Sequence, residues 1–248
     1  MQALVLAGGR GLRLRPLTEN VPKCLVEVRG KPILEHIFDW LSKNRIEEAV
    51  LAVGYKHEAV SEYLSKYEKE IPLKVSLSIE DKPLGTGGGM RQAAKNGLIK
   101  GDFVAVNGDV ITDVNLIEMI DFFKAKKTEG IQSVIALKRE RSPYGVALID
   151  GDLVIHSFVE KPELEDVWIN AGIYAMSYDV IDLLPVEGDL EKSLFPKLAW
   201  EHKIAGYKIE GYWRSVDSLK DIEEVNGEAK KNRDCEKFRA LPSRYNYF

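Results

Sequence analysis

The sequence predicts an α/β fold, a mixed and mostly parallel sheet with helices on both faces. Three observations carry that expectation. Apolar strands alternate with amphipathic helices through the first two-thirds of the chain. The opening strand, Gln2 to Ala7, is apolar from Ala3 onward, as a strand covered on both sides requires. The 248 residues, 45% of them hydrophobic, suffice for one large core.

The elements follow in order. After Gln2 to Ala7, an amphipathic helix spans Pro32 to Asn44, with proline in its first turn. Then come a strand over Glu48 to Val53, a helix over His57 to Tyr67 and a strand over Leu73 to Ile79. A helix over Gly87 to Asn96, a strand over Asp102 to Val106, a helix over Asn115 to Lys126 and a strand over Ile131 to Leu137 complete the alternation. The rhythm then changes. Val146 to Ile149 and Leu153 to His156 flank Asp150-Gly151-Asp152, a hairpin signal. A strand over Val167 to Met176 precedes helices near Ser177 to Leu184 and Glu191 to Trp200. A strand near Ala205 to Ile209 and a charged helix from about Ser218 to Lys231 lead to a polar tail with scattered aromatics. No repeat or low-complexity tract is present. The expected organisation is a single domain over 1–226, with a C-terminal tail over 227–248.

Composition excludes several classes. A net charge of -4 gives no footprint for nucleic acid or a membrane surface. No apolar run is long enough to span a bilayer. The two cysteines, Cys24 and Cys235, have no metal-ligand spacing and make no disulfide framework, so the expected compartment is the cytoplasm. Cys24 has no His-Asp partner to make it a nucleophile. The four histidines form no cluster.

The chemistry sits in five segments. The first is Leu6-Ala7-Gly8-Gly9-Arg10-Gly11-Leu12-Arg13-Leu14-Arg15-Pro16-Leu17-Thr18, followed by Pro22-Lys23. Glycines directly after a buried strand let backbone approach a ligand closely. The cations Arg10, Arg13, Arg15 and Lys23 beside them suit a polyphosphate. The loop is not a dinucleotide fingerprint, since Leu14 stands where its last glycine would be, and no Gly-Lys-Ser/Thr makes it a Walker loop. A dinucleotide oxidoreductase is therefore set aside. The segment resembles the G-x-G-x-R and Pro-Lys signature of the sugar-phosphate nucleotidylyltransferases, and the resemblance continues to about Asn226. It implies a Rossmann-like core, the nucleotide-diphospho-sugar transferase fold, with a nucleotide-binding part over about 1–140 and a sugar-binding part over about 141–217. It also implies that Arg13 and Lys23 hold the triphosphate and the departing pyrophosphate, beside nucleotide-binding Leu6, Ala7, Gly8, Gly9 and Gly11.

The second segment is Glu80-Asp81-Lys82-Pro83-Leu84-Gly85-Thr86-Gly87-Gly88. It follows a strand and opens a helix, so its amides are expected to face a ligand. By resemblance it is the base-recognition loop, with Glu80, Gly85 and Thr86 at the nucleotide. An ionised Glu80 only accepts hydrogen bonds. Guanine offers two adjacent donors, whereas uracil and thymine flank one donor with repelling carbonyls, so Glu80 favours GTP. In the third segment, Gly108-Asp109 ends a buried strand at the sheet's carboxyl edge. The resemblance makes Gly108 nucleotide-binding and Asp109 a catalytic metal carboxylate, with Mg²⁺ as cofactor.

The fourth set, Tyr144-Gly145, Glu160-Lys161-Pro162 and Asn170-Ala171-Gly172, resembles the family's sugar site. It implies that Lys161 neutralises the sugar phosphate, Glu160 and Asn170 bond sugar hydroxyls, and Gly145 admits the ring. The fifth, Trp213-Arg214-Ser215-Val216-Asp217, departs from the usual Trp-x-Asp. Ser215 stands at the usual acid position, and Asp217 is expected to be the second metal carboxylate. The implied reaction transfers a nucleoside monophosphate from an NTP to a sugar 1-phosphate and releases pyrophosphate. GTP with mannose 1-phosphate leads; dTTP, UTP or CTP with glucose 1-phosphate, or a heptose 1-phosphate acceptor, stay open. A non-catalytic nucleotide-sugar-sensing subunit would need a broken loop or a missing acid, and only the displaced Asp217 favours it. The implied assembly is a homodimer.

Overall fold

The computed structural model describes residues 1–227. Cys235, the tail beyond 227 and the end of the expected last helix lie outside the described residues. In chain order the strands and helices are β1 (Gln2–Leu6), β2 (Glu27–Val28), β3 (Lys31–Pro32), α1 (Ile33–Lys43), β4 (Glu48–Val53), α2 (His57–Lys66) and β5 (Lys74–Ile79). Next come α3 (Gly85–Lys95), β6 (Phe103–Asn107), β7 (Val110–Thr112), α4 (Leu116–Thr128) and β8 (Ser133–Arg141). The chain continues with β9 (Val146–Ile149), β10 (Ile155–Val159), β11 (Glu163–Met176), α5 (Leu194–Trp200), β12 (Ile204–Lys208) and β13 (Trp213–Ser215). A helix occupies 219–227.

Seven strands form one sheet in the order β12-β8-β11-β6-β1-β4-β5. β1 pairs parallel with both β4 and β6, and β5 and β12 extend the sheet in parallel with β4 and β8. β11 runs antiparallel to β6 and β8, which makes the sheet mixed as well as mostly parallel. Alternate side chains feed two cores. Ala3, Val5, Val104 and Val106 face α1, α2 and α4. Leu4, Phe103, Ala105 and Tyr174 face α3 and α5. The chain leaves β1 toward β4 on one side, with β6 on the other, so a crevice opens beyond the carboxyl ends of β1 and β6.

Local sequence explains the ends of α4. The Asn115 side chain accepts from the Glu118 amide (3.3 Å) and donates back to its carboxylate (2.7 Å). Some elements depart from expectation. Ser177 to Leu184 forms a 3₁₀ turn (Tyr178–Leu183), and α5 begins only at Leu194, after a separate 3₁₀ turn over Leu190–Lys192. β11 begins at Glu163, ahead of the expected Val167. Residues 137–170 contribute no buried side chain. The β9–β10 hairpin stands off the core with Leu148, Leu153 and Phe158 more than half exposed.

Candidate active site

A cavity of about 610 Å³ occupies the crevice. Leu6, Ala7, Gly8, Gly9 and Gly11 from the loop after β1 line one wall. Gly11 adopts a positive φ of 60° and carries Thr18 and Lys23 against its bare Cα, where a Cβ would lie 3.0 Å and 3.1 Å from them. The Thr18 hydroxyl then donates to the Gly11 carbonyl (2.8 Å), and buried Leu14 pins the loop. Gly108 also lines the cavity; a side chain there would meet the Leu6 carbonyl at 2.9 Å, so glycine lets the strand ends close on each other.

Arg13, Lys23, Asp109 and Asp217 come together, whereas Arg10 and Arg15 do not line the cavity. Lys23 Nζ lies 2.5 Å from Asp109 Oδ2 and 2.7 Å from Asp217 Oδ1. Arg13 reaches the same Asp217 oxygen at 2.9 Å. A short ladder, unforeseen in the sequence, brings the two acids together: β7 pairs antiparallel with β13, Ser215 opposite Val110. The Val216 amide then donates to the Asp109 carbonyl (2.9 Å). Ser218, not Asp217, caps the final helix, its hydroxyl accepting from the Asp221 amide (3.4 Å) while the Asp221 carboxylate accepts from the Ser218 amide (2.7 Å), which leaves the Asp217 carboxylate to the cavity. Burial works to raise the Asp217 pKa, but Lys23, the Ser215 hydroxyl and Arg13 outweigh it and hold it below the ordinary value.

The residues fit a divalent cation. Two carboxylates already grip one ammonium, and Asp109 Oδ1 is buried with no hydrogen-bond partner. Among the described residues no group of three or more His, Cys, Asp or Glu could hold a metal ion. Phosphate oxygens and water would supply the other ligands, as Mg²⁺ prefers.

Glu80 lies deep in the wall, 9% exposed. Its carboxylate accepts from the Leu84 amide (3.2 Å) and fits because Gly8 and Gly89 carry no side chain there. Burial pushes its pKa up, against the Leu84 hydrogen bond. Gly85 and Thr86 line the cavity too. The Gly87 and Gly88 amides in the first turn of α3 do not face it, contrary to expectation. Gly87 and Gly88 donate to the Gly188 carbonyl (2.9 Å and 3.2 Å), so the neighbouring loop caps the positive helix end.

The four expected sugar residues divide. Gly145, Glu160 and Lys161 gather at the base of the β9–β10 hairpin, away from the cavity wall, with Lys161 Nζ 3.6 Å from Glu160. Asn170 is exposed on β11, outside the cavity lining, and donates to the Tyr174 hydroxyl (2.9 Å). Cys24 borders the cavity, but burial pushes its thiol up to about 12, so it is no nucleophile.

The profile of the nucleotidyl transferase family matches residues 2–232. The chain belongs to this family. The chain is 40% identical over 230 residues to the mannose-1-phosphate guanyltransferase of Candida albicans, covering 90% of this chain and 62% of the relative. The Saccharomyces cerevisiae mannose-1-phosphate guanyltransferase is likewise 40% identical over 230 residues, covering 90% and 63%. The chain thus spans less than two-thirds of these relatives' length. HddC from Yersinia pseudotuberculosis, solved in complex with GMP-PN, matches with a TM-score of 0.71 at 25% identity, over 92% of this chain and 99% of its own. A UDP-glucose pyrophosphorylase complexed with UDP-glucose shares the fold, with a TM-score of 0.71 at 19% identity.

Sequence reasoning missed two residues of the cavity wall and one that stands behind it. Asn107 closes β6 beside the cavity with Oδ1 buried and unpartnered. Its place just before Gly108-Asp109 was the available signal. Asp189 lines the wall and Glu191 bonds Thr86 (3.1 Å), a residue 105 positions away. Within Gly188-Asp189-Leu190-Glu191 nothing local marks either acid.

Proposed function

We propose that the protein transfers GMP from GTP to mannose 1-phosphate, giving GDP-mannose and pyrophosphate. One observation carries the chemistry: Asp109, Asp217, Lys23 and Arg13 meet in a glycine-lined cavity at the sheet's switch point. The substrate choice is supported by the 40% identity to mannose-1-phosphate guanyltransferases, by the likeness to HddC with GMP-PN, and by Glu80. A carboxylate in the wall can accept from both guanine donors.

In this reading a phosphate oxygen of the sugar 1-phosphate attacks the α-phosphorus of GTP in line, and pyrophosphate leaves. The attacking oxygen is already anionic, so no protein nucleophile is required. The chain's residues position and neutralise. Arg13 and Lys23 turn from Asp217 to the triphosphate and stabilise the departing pyrophosphate. Lys161 leaves Glu160 to offset repulsion between the two anions. Asp109 and Asp217 would hold magnesium, which when bound supplies neutralisation of phosphate charge. No described helix is long and apolar enough to cross a membrane, and the free, buried thiol of Cys24 suits a cytoplasmic enzyme.

The test is pyrophosphate release across ATP, GTP, UTP, dTTP and CTP against several sugar 1-phosphates, with magnesium. Release confined to GTP, strongest with mannose 1-phosphate and abolished by a chelator, is expected. Release with dTTP, UTP or CTP instead would overturn the base assignment. Silence in every well from folded protein would favour a sensing subunit.

A further inference from the structure

Glu191 lies outside the cavity wall and has no part in the chemistry above. Its two carboxylate oxygens nevertheless go to two different sides of the site. Oε2 accepts from the Thr86 hydroxyl (3.1 Å), and Thr86 lines the cavity in the loop that opens α3. Oε1 accepts from the Tyr174 hydroxyl (3.4 Å), on the inner face of β11. Tyr174 is fully buried, and burial holds its phenol protonated well above the ordinary tyrosine value. The same phenol oxygen receives the Asn170 amide (2.9 Å) and interacts with the side chain of Asn107, a wall residue. Asn170 in turn accepts from the Gly172 amide (2.8 Å), which fixes the bend of β11. Thr86 is held at its other end as well, because its hydroxyl accepts from the Leu190 amide (2.9 Å). One carboxylate thus joins the nucleotide loop to the strand bearing the sugar-side asparagine. Losing it would strand a buried phenol donor, which costs more than a solvated hydrogen bond does.

We propose that Glu191 is a positioning residue that couples the two substrate subsites, so that a nucleotide seated against Thr86 orders Asn170 for the sugar phosphate. This rests on the reading of Asn170 as a sugar-side residue. An ordered, bonded carboxylate transmits position; a rotating one does not. Glutamine keeps one accepting oxygen of the two, so it can serve one side only.

The experiment is two-substrate steady-state kinetics on the whole protein, measuring how far saturating GTP lowers the KM for mannose 1-phosphate. In the wild type the factor should be at least about fivefold, the low end of measured site-to-site coupling. Glu191→Ala and Tyr174→Phe should each bring it to about one, and the double variant should lose no more than either single change. Glu191→Gln, matched in shape, should fall between and keeps the test sound if Glu191→Ala folds poorly. A purely structural role would lower the melting temperature and leave the factor unchanged. A wild-type factor near one, or a Glu191→Ala factor within about twofold of wild type, overturns the proposal. A folded wild type that turns over no pair overturns the proposed function, and the coupling with it.

Discussion

Lys23 touches both Asp109 and Asp217, so its removal uncovers two carboxylates at once. Lys23→Ala should cut turnover at least about a hundredfold, the scale of losing one preorganised charge at a transition state of about 3 kcal/mol. Circular dichroism and a melting curve check that the fold survives; near-normal turnover would refute the assignment. Asp109→Asn should behave alike. Glu80 makes a different demand. Its pKa is raised in the folded chain, so the native state binds that proton more tightly than the unfolded chain does. Its stabilising contribution is complete at pH below the ordinary glutamate value and is lost as pH rises through the raised one. Above the raised value the ionised group costs stability, so Glu80→Gln should melt higher than wild type at alkaline pH; below the ordinary glutamate value the difference should vanish. The same variant should lose GTP preference by at least about tenfold in kcat/KM, since an amide cannot accept from both guanine donors. Arg13, Lys23, Asp109 and Asp217 were legible because their segments resemble the family's motifs, Asp109 also by ending an apolar strand at the sheet's carboxyl edge. Asn107 and Glu191 were not, because the atoms they meet are distant in sequence.

At the scale of elements, α3 is built from a poor helix-former, Gly-Thr-Gly-Gly-Gly. Tertiary packing explains it. A Cβ on Gly88 would sit 2.7 Å from the Val186 carbonyl, and one on Gly87 would sit 2.8 Å from Pro185. Alanine at Gly88 would gain about 1 kcal/mol of helix propensity. Pushing into backbone costs about 1–3 kcal/mol, so the clash wins. Gly88→Ala should therefore destabilise by about 1 kcal/mol in urea unfolding and loosen the loop that caps the helix. A gain in stability would mean that the loop yields freely. The long elements were legible because β1, β4 and β6 are apolar runs and α1 has its proline start. β2, β3, β7 and β13 were not, since two or three residues hold no periodicity. The early start of β11 was hidden by Glu163, Glu165 and Asp166, charges that a strand standing off the core tolerates.

The whole molecule separates a buried sheet from an exposed annex. Neither core takes a residue from 137–170, so the β9–β10 hairpin is not needed to hold the sheet together. Replacing 146–159 with a short glycine-serine turn should leave the melting temperature within a few degrees while raising the KM for the sugar 1-phosphate at least about tenfold, given that Gly145, Glu160 and Lys161 sit at its base. A collapse in stability, or an unchanged KM, would contradict this division. The same boundary was visible in sequence as the change from βα alternation to a hairpin at Asp150-Gly151-Asp152.

The cavity wall carries Glu80, Asp109, Asp189 and Asp217 against only Arg13 and Lys23. Lys192 pairs with Asp189 (2.9 Å), so negative charge prevails there when Glu80 is ionised, and the chain as a whole is acidic. If the proposed function holds, a bare triphosphate drifting toward the opening is then repelled over roughly a Debye length, about 8–10 Å in ordinary buffer. Added salt screens that repulsion, so the encounter rate of uncomplexed nucleotide rises with ionic strength, where most polyphosphate binders show a fall. On the proposed function, the entrance would thereby sort nucleotides by charge state before any base is read.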